Sequence, residues 1–332
     1  METIRVLQVD AFTTEPLAGN AAGVVPDAAG LGAERMEAIA RELSVSETAF
    51  LSPSDDADYR IRYFTPRREV DRCGHATVGA AVHLREAGVV DDAVSFETNT
   101  GVLEVEFEGD GTVWIREEPP TVREVDVGHG RLADALGIDR AALEGIGADL
   151  PPAVASTGLP FLIVPVAYLS DLGSAEPDLA AVEELSADVE AIGVYAFTFD
   201  TLAAEATLHG RAFAPAAGIA EDPVTGTASG AVAAYLDHVG AFEADAWRAD
   251  TGAVPTGPTA GGELGVDAAP DVRIDVDGPP AELRLEQGHF LDRPGTVRVR
   301  PGSRPQVGGR GVVALDGRLA IPDATDEDIL EV

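Results

Sequence analysis

The chain has 332 residues, enough for two cores of ordinary domain size, and its 45% hydrophobic content opposes disorder despite a formal charge of −35 at pH 7. All 23 basic side chains are arginine, which excludes lysine Schiff bases and a P-loop lysine, and so acidic a surface disfavours nucleic acid. A single cysteine excludes an internal disulfide, and the charge suits a folded, halophilic protein in a high-salt cytosol, where the Debye length falls to about 3 Å and self-repulsion is screened.

Residues 1–5 run into a strand without a leader, and no apolar run approaches the ~20 residues that span a bilayer. The expectation is a soluble cytoplasmic protein with no membrane partner. Residues 4–12 read as a strand, with 23–25 as its partner after the Gly19-Asn20 turn. Residues 33–43 form an amphipathic helix with Met36, Ile39, Ala40 and Leu43 on one face. Ser44 to Leu51 leads into a strand, and 59–64 alternates as another. Cys73 to Gly88 reads as a glycine turn opening an Ala-rich helix, closed by Gly88 at a left-handed cap. Short strands follow at 95–98, 102–107 and 113–115.

Pro119, Pro120 and Gly128 mark residues 117–130 as the boundary between halves, giving an N-terminal lobe of 1–125 and a C-terminal lobe of 126–332, the last strand being free to return to the first lobe. The second half predicts a helix at 131–136, strands at 154–166 around Gly158-Leu159-Pro160, a helix at 179–192 and strands at 194–199 and 205–213. The Gly/Pro-rich stretch 252–280 reads as an exposed excursion with one or two strands. Segments 283–290, 296–300 and 312–321 close the sheets. Many short strands with one long helix per half predict an α+β fold of two pseudo-symmetric lobes, each a barrel-like mixed sheet around its central helix.

The second long helix belongs to a near-copy of the first. Aligned without gaps, residues 73–88 and 225–240 share Gly74/Gly226, Ala76/Ala228, Ala81/Ala233, Leu84/Leu236 and Gly88/Gly240. Tyr63-Phe64-Thr65-Pro66 and Ala212-Phe213-Ala214-Pro215 precede the two copies at nearly the same distance. A helix start binds anions through its free N–H groups and the positive end of its dipole. Two such starts facing each other would enclose a small site.

The candidate chemistry lies around these turns. Glu47 sits between a helix and a strand that turns apolar at once, so burial would poise it as a proton shuttle, whereas an exposed Glu would only cap the loop. His75, one residue inside the first helix, can hold a carboxylate or steer a proton. The other five histidines have no metal-ligand spacing, so no metal site is expected. Cys73 beside the helix start could be a thiolate base, but its counterpart is Thr225, too weak an acid and base for a two-base racemase, which favours a structural thiol. Asp222 could anchor a substrate amine or hydroxyl or act as a plain cap. The N–H groups of Gly226 and Thr227 mirror those of Gly74 and His75.

These residues resemble the PhzF-like isomerases of phenazine biosynthesis, within the diaminopimelate epimerase-like superfamily. The likeness is carried, in order, by Val9-Asp10-Ala11-Phe12, Gly19-Asn20, Ser46-Glu47-Thr48, Gly74-His75-Ala76-Thr77, Glu221-Asp222-Pro223-Val224-Thr225-Gly226, Glu286-Gln287-Gly288, Arg293-Pro294 and Val307-Gly308-Gly309. It implies the diaminopimelate epimerase-like fold, a homodimer, and cofactor-independent proton transfer on a small carboxylate substrate. It assigns the acid–base role to Glu47 and substrate binding to Asn20, Ser46, Gly74, His75, Asp222, Gly226 and Thr227. Ala21 after Asn20, Thr227 in place of the usual Ser, and Asp292 and Gly295 around Arg293-Pro294 depart from the family pattern and bear on the substrate. A Cys73-based dehydratase or racemase of a proline-like amino acid, and a non-catalytic binding protein of the same fold, are the alternatives.

Overall fold

The computed structural model describes residues 2–146, 150–242 and 280–322. The first half contains β1 (Glu2–Ala11), β2 (Asn20–Val25), α1 (Ala33–Leu43), β3 (Glu47–Ser52), β4 (Tyr59–Phe64), β5 (Glu69–Val70) and α2 (Gly74–Glu86). It continues with β6 (Ala93–Thr98), β7 (Gly101–Phe107) and β8 (Val113–Arg116). The second half contains β9 (Thr121–Glu124), α3 (His129–Leu136), α4 (Ala141–Glu144), β10 (Ala153–Ser156), β11 (Pro160–Pro165), α5 (Leu169–Gly173) and α6 (Leu179–Asp188). It ends with β12 (Gly193–Thr198), β13 (Leu208–Ala214), β14 (Ile219–Asp222), α7 (Gly226–His238), β15 (Leu283–Gln287), β16 (Gly295–Arg300), β17 (Gln306–Gly309) and β18 (Gly311–Ile321).

Strand directions show the duplication independently of residue identity. From β1 the sheet passes antiparallel to β2, parallel to β3, antiparallel to β4, parallel to β6, then antiparallel to β7 and β8. From β10 the same succession runs through β11, β12, β13, β15, β16 and β17. Each succession gains an outer strand, β18 beside β1 and β9 beside β10. The two are joined where β8 pairs with β17. This is an α+β fold, a large mixed sheet with few helices.

The two long helices are the pivots. Positions His75 through Leu84 of α2 are all buried, as are most of α7, because small and aliphatic residues surround both axes. Helix α2 packs on β1, β2, β3, β8 and β18, and α7 on β9, β10, β11, β16 and β17. A glycine inside each helix allows the close approach: a Cβ on Gly79 would lie 3.3 Å from Val9 Cβ, and one on Gly230 only 2.8 Å from Thr157 Oγ1. Both helices end with glycine in the left-handed region, Gly88 at φ +69° and Gly240 at φ +68°. Outside the main core, α1 covers one side of the first sheet through Met36, Ile39 and Ala40, while α3 and α6 cover the second.

Several boundaries differ from the sequence reading. The stretch 117–130 is no mere linker, since it contains β9, whose register Ala153↔Glu124 to Ser156↔Thr121 adds it to the sheet. The helix expected over 179–192 stops at Asp188, where Glu190 turns left-handed at φ +59° and feeds β12. The strand expected over 205–213 begins at Leu208, and the short helices α4 and α5 were not foreseen. The excursion expected over 252–280 lies, up to 279, outside the described residues. Among the described residues no helix is long and apolar enough to cross a membrane.

Candidate active site

The site is built from the loops that open α2 and α7 and from the first residue of β3. After α1, Ser44 adopts a left-handed cap at φ +55°, which turns the chain so that Ser46 and Glu47 enter β3 beside β2. There Glu47 is largely enclosed, its side chain 13% exposed, and its Oε2 lies 3.4 Å from His75 Nε2. That oxygen is buried and accepts no hydrogen bond. Ser46 Oγ stands 3.2 Å from the same imidazole nitrogen. On the other side of the ring, Nδ1 is 3.4 Å from Cys73 Sγ. One imidazole therefore touches a hydroxyl, a carboxylate and a thiol, and the position of its single neutral-state proton selects which of them it serves.

The opposing wall comes from the second half. Asn20 Nδ2, at the start of β2, donates to Asp222 Oδ1 at 2.7 Å and to the Val224 carbonyl at 2.9 Å. Thr225 Oγ1 donates to the second carboxylate oxygen, Asp222 Oδ2, at 2.6 Å. Gln287 completes the frame: its Nε2 donates to the Asp222 carbonyl at 2.7 Å, and its Oε1 accepts from the Thr225 amide at 3.0 Å. Gln287 carries no role in the sequence reading; its only signal there is its place in the Glu286-Gln287-Gly288 run.

The electrostatics follow from this enclosure. Burial pushes the Asp222 carboxyl above the usual range, aided by the negative Glu47, while His75 and the hydrogen bonds from Thr225 and Asn20 pull it back. Burial also raises the Cys73 thiol well above its ordinary value, with Glu47 and Asp222 adding to the effect. Such a thiol is a poor source of thiolate, in line with a structural cysteine. The bonds from Asn20 to Asp222 and Val224 bring the first half against the second at this crevice.

The two helix starts are alike in backbone and unlike in surroundings. Neither Cys73 nor Thr225, the residues that cap them, makes a side-chain capping bond, which leaves first-turn N–H groups for other acceptors. A Cβ on Gly74 would meet nothing within 4 Å, so the space over this turn is open. Gly226 is buried, and a Cβ there would lie 3.0 Å from Phe12 Cζ and 3.2 Å from Val307 Cγ1. Thr227 follows it, partly exposed, its carbonyl accepting from Thr157 Oγ1 at 3.2 Å. Asn20 is thus bonded to Asp222, and Ser46 and Glu47 both touch His75, two groups set around the helix starts to which Gly74, Gly226 and Thr227 belong. Glu47, Cys73 and His75 also bring three donor atoms within 4.8 Å of one another, a grouping hidden in the sequence by the 25 positions between Glu47 and Cys73.

Residues 9–254 match the family model described as Phenazine biosynthesis-like protein, PhzC-PhzF. The chain belongs to this family. An isomerase from Bacillus subtilis, Uncharacterized isomerase YfhB, is 36% identical over 291 residues, spanning 86% of this chain and 95% of that protein. The crystal structure of the Bacillus anthracis phenazine biosynthesis protein of the PhzF family superimposes with a TM-score of 0.78 at 30% identity, covering 97% of this chain and all of the other. A hydroxyproline epimerase from Agrobacterium vitis, solved with trans-4-hydroxy-L-proline, shares the fold at a TM-score of 0.54 and 15% identity, covering 97% and 93% of the two chains. With these relatives the PhzF-family chain is an isomerase, built on the diaminopimelate epimerase-like fold that its sequence resembles.

Proposed function

We propose that this PhzF-family protein is a cofactor-independent isomerase that moves a proton on a small carboxylate, with Glu47 as its single acid–base. The observation that carries the reading is the buried Glu47 Oε2, which accepts no hydrogen bond and lies 3.4 Å from His75 Nε2. Glu47 takes a proton from a carbon activated by the substrate's own unsaturation; the C–H electron pair enters that system, and the carboxyl returns the proton at a second carbon. The N–H groups at the starts of α2 and α7 hold the carboxylate and the charge that develops. His75 and Ser46 orient Glu47, while Asn20 and Thr225 hold Asp222 toward a donor group of the substrate.

The test is solvent deuterium incorporation into a panel of hydroxy- and amino-carboxylates, read by mass spectrometry. Glu47→Gln is expected to abolish incorporation while binding of the same compounds survives; full exchange by this variant would refute the assignment. Cys73→Ser is expected to retain exchange, and its loss would transfer the base role to the thiol. The expected assembly is a homodimer, and its expected setting a salt-rich cytosol: light scattering gives twice the chain mass, and the thermal midpoint climbs between 0.1 M and 2 M KCl. A monomer, or a midpoint indifferent to salt, counts against these two points alone.

A further inference from the structure

A buried carboxyl outside the proposed proton path lies beside both helix starts. Glu117 follows β8 with its side chain only 4% exposed, and its Oε2 is 3.1 Å from Arg72 Nη2. Arg72 immediately precedes Cys73, so this ion pair grips the loop that delivers Gly74 and His75. The same guanidinium donates to the Arg116 carbonyl at 3.2 Å. Glu117 itself is fastened to the second half by its backbone. Its amide donates to the Pro305 carbonyl at 2.8 Å, and the Glu118 amide donates to Thr157 O at 3.1 Å. Thr157 in turn donates its hydroxyl to the Thr227 carbonyl in the first turn of α7.

A continuous chain of contacts therefore runs from the start of α2 to the start of α7, through Arg72, Glu117, Glu118, Thr157 and Thr227. Gly158 lies beside it: at φ +148° it adopts a conformation that favours glycine, while a Cβ there would make only ordinary contact, 3.8 Å from both Glu117 Oε2 and Thr227 Cγ2.

We infer that Glu117, through its ion pair with Arg72, is a positioning residue that fixes the loop carrying Cys73, Gly74 and His75 against the second helix start. This role rests on the reading of the crevice as the isomerase site. Buried ion pairs contribute little net stability but are costly to break, which suits a tie that must hold one geometry. The charged groups facing Glu117 are Arg72 from the loop before α2 and Glu118 from its own segment. Burial is the largest influence on the carboxyl and raises it to about 7, Arg72 opposing and Glu118 reinforcing the shift. Protonation below neutrality removes the charge that holds Arg72, so the tie weakens toward acid.

Hydrogen exchange on the full-length protein tests this without knowledge of the substrate. Glu117→Gln keeps the side-chain volume and Arg72→Gln leaves a shorter, uncharged polar side chain at a partly exposed position, which favours folding of both. Each is expected to speed exchange at least fivefold in the peptide spanning residues 73–82, which contains the Thr77 amide bonded to the Cys73 carbonyl. The peptide of α1 serves as the unchanged control, and the double variant exchanges no faster than the single ones. With a carboxylate that the wild type deuterates, Glu117→Gln lowers the rate at least tenfold and flattens its pH dependence between pH 6 and 8. Glu47→Gln, in contrast, abolishes turnover and leaves the 73–82 peptide unchanged. Exchange of that peptide within twofold of wild type in both single variants overturns the inference, as do multiplicative effects in the double variant. So does complete loss of turnover in Glu117→Gln at every pH, which would make it a reacting group. Failure of Glu47→Gln to abolish turnover, with the peptide result intact, sinks the reaction assignment and leaves the tie standing.

Discussion

Replacing Arg293 by Ala is expected to be among the most damaging single changes outside the crevice. Asp10 is wholly buried in β1, and its carboxylate has two partners: Arg293 Nη2 at 2.7 Å on Oδ1 and the Leu17 amide at 2.7 Å on Oδ2. The guanidinium also donates to the Gly19 and Ala18 carbonyls at 2.9 and 2.8 Å, and Gly19 N returns a bond to Pro294 O. Truncation leaves a buried carboxylate with one neutral donor, a loss of about 3–5 kcal/mol. The two released carbonyls add roughly 1 kcal/mol each if they stay dry. Because the Arg293 side chain is itself 27% exposed, water can enter behind it, and a total of about 4 kcal/mol is expected. Urea denaturation followed by tryptophan fluorescence measures it. The double change Asp10→Asn with Arg293→Ala should recover part of the loss, since no orphan charge remains. A deficit below about 1 kcal/mol for Arg293→Ala would refute the buried-charge reasoning.

The two helix-start glycines should separate packing from ligand access. Gly226→Ala forces a methyl against Phe12 and Val307 and should cost about 1–3 kcal/mol, whereas Gly74→Ala meets open space and should leave stability unchanged or up to about 1 kcal/mol higher while blocking carboxylate binding. Equal stability losses in the two variants, or unimpaired binding by Gly74→Ala, would contradict the assigned surroundings. For Glu117, the folded-state value of about 7 lies above the 4.5 of an ordinary glutamate, so the native state holds one more proton than the unfolded chain between those pH values. The stabilising contribution of that proton is full below pH 4.5 and lost as pH rises through 7. The stability of Glu117→Gln relative to wild type should therefore grow by about 3 kcal/mol from pH 4.5 to 7.5, and a pH-independent difference would exclude the buried ionisation.

What the sequence disclosed follows from the range of the forces involved. The openings of α2 and α7 are local events, and glycine followed by small residues shows them in consecutive letters. The meeting of Glu47 with His75, and of Asn20 with Asp222, depends on long-range pairing, and only family resemblance placed those residues together. Periodicity carries no trace of Arg72 and Glu117, because each reads as an ordinary charged residue beside a loop. The strand β9 was hidden by Pro119 and Pro120, which signal a break in local structure but leave the next four residues free to join β10. Arg293 could be named from its motif, yet its purpose is visible only in space, where it reaches 283 positions back to Asp10.

The pairing of β18 with β1 has a consequence for how the molecule is made. Glu2 finds its sheet partner in Ile321, so the opening strand emerges from the ribosome long before its outer neighbour exists. Until β18 has been made that edge stays unpaired, a site for wrong association that β18 later covers. Closure over so great a contour length predicts slow, late maturation of the first half, and shortening the chain before residue 311 should harm its beginning as much as its end.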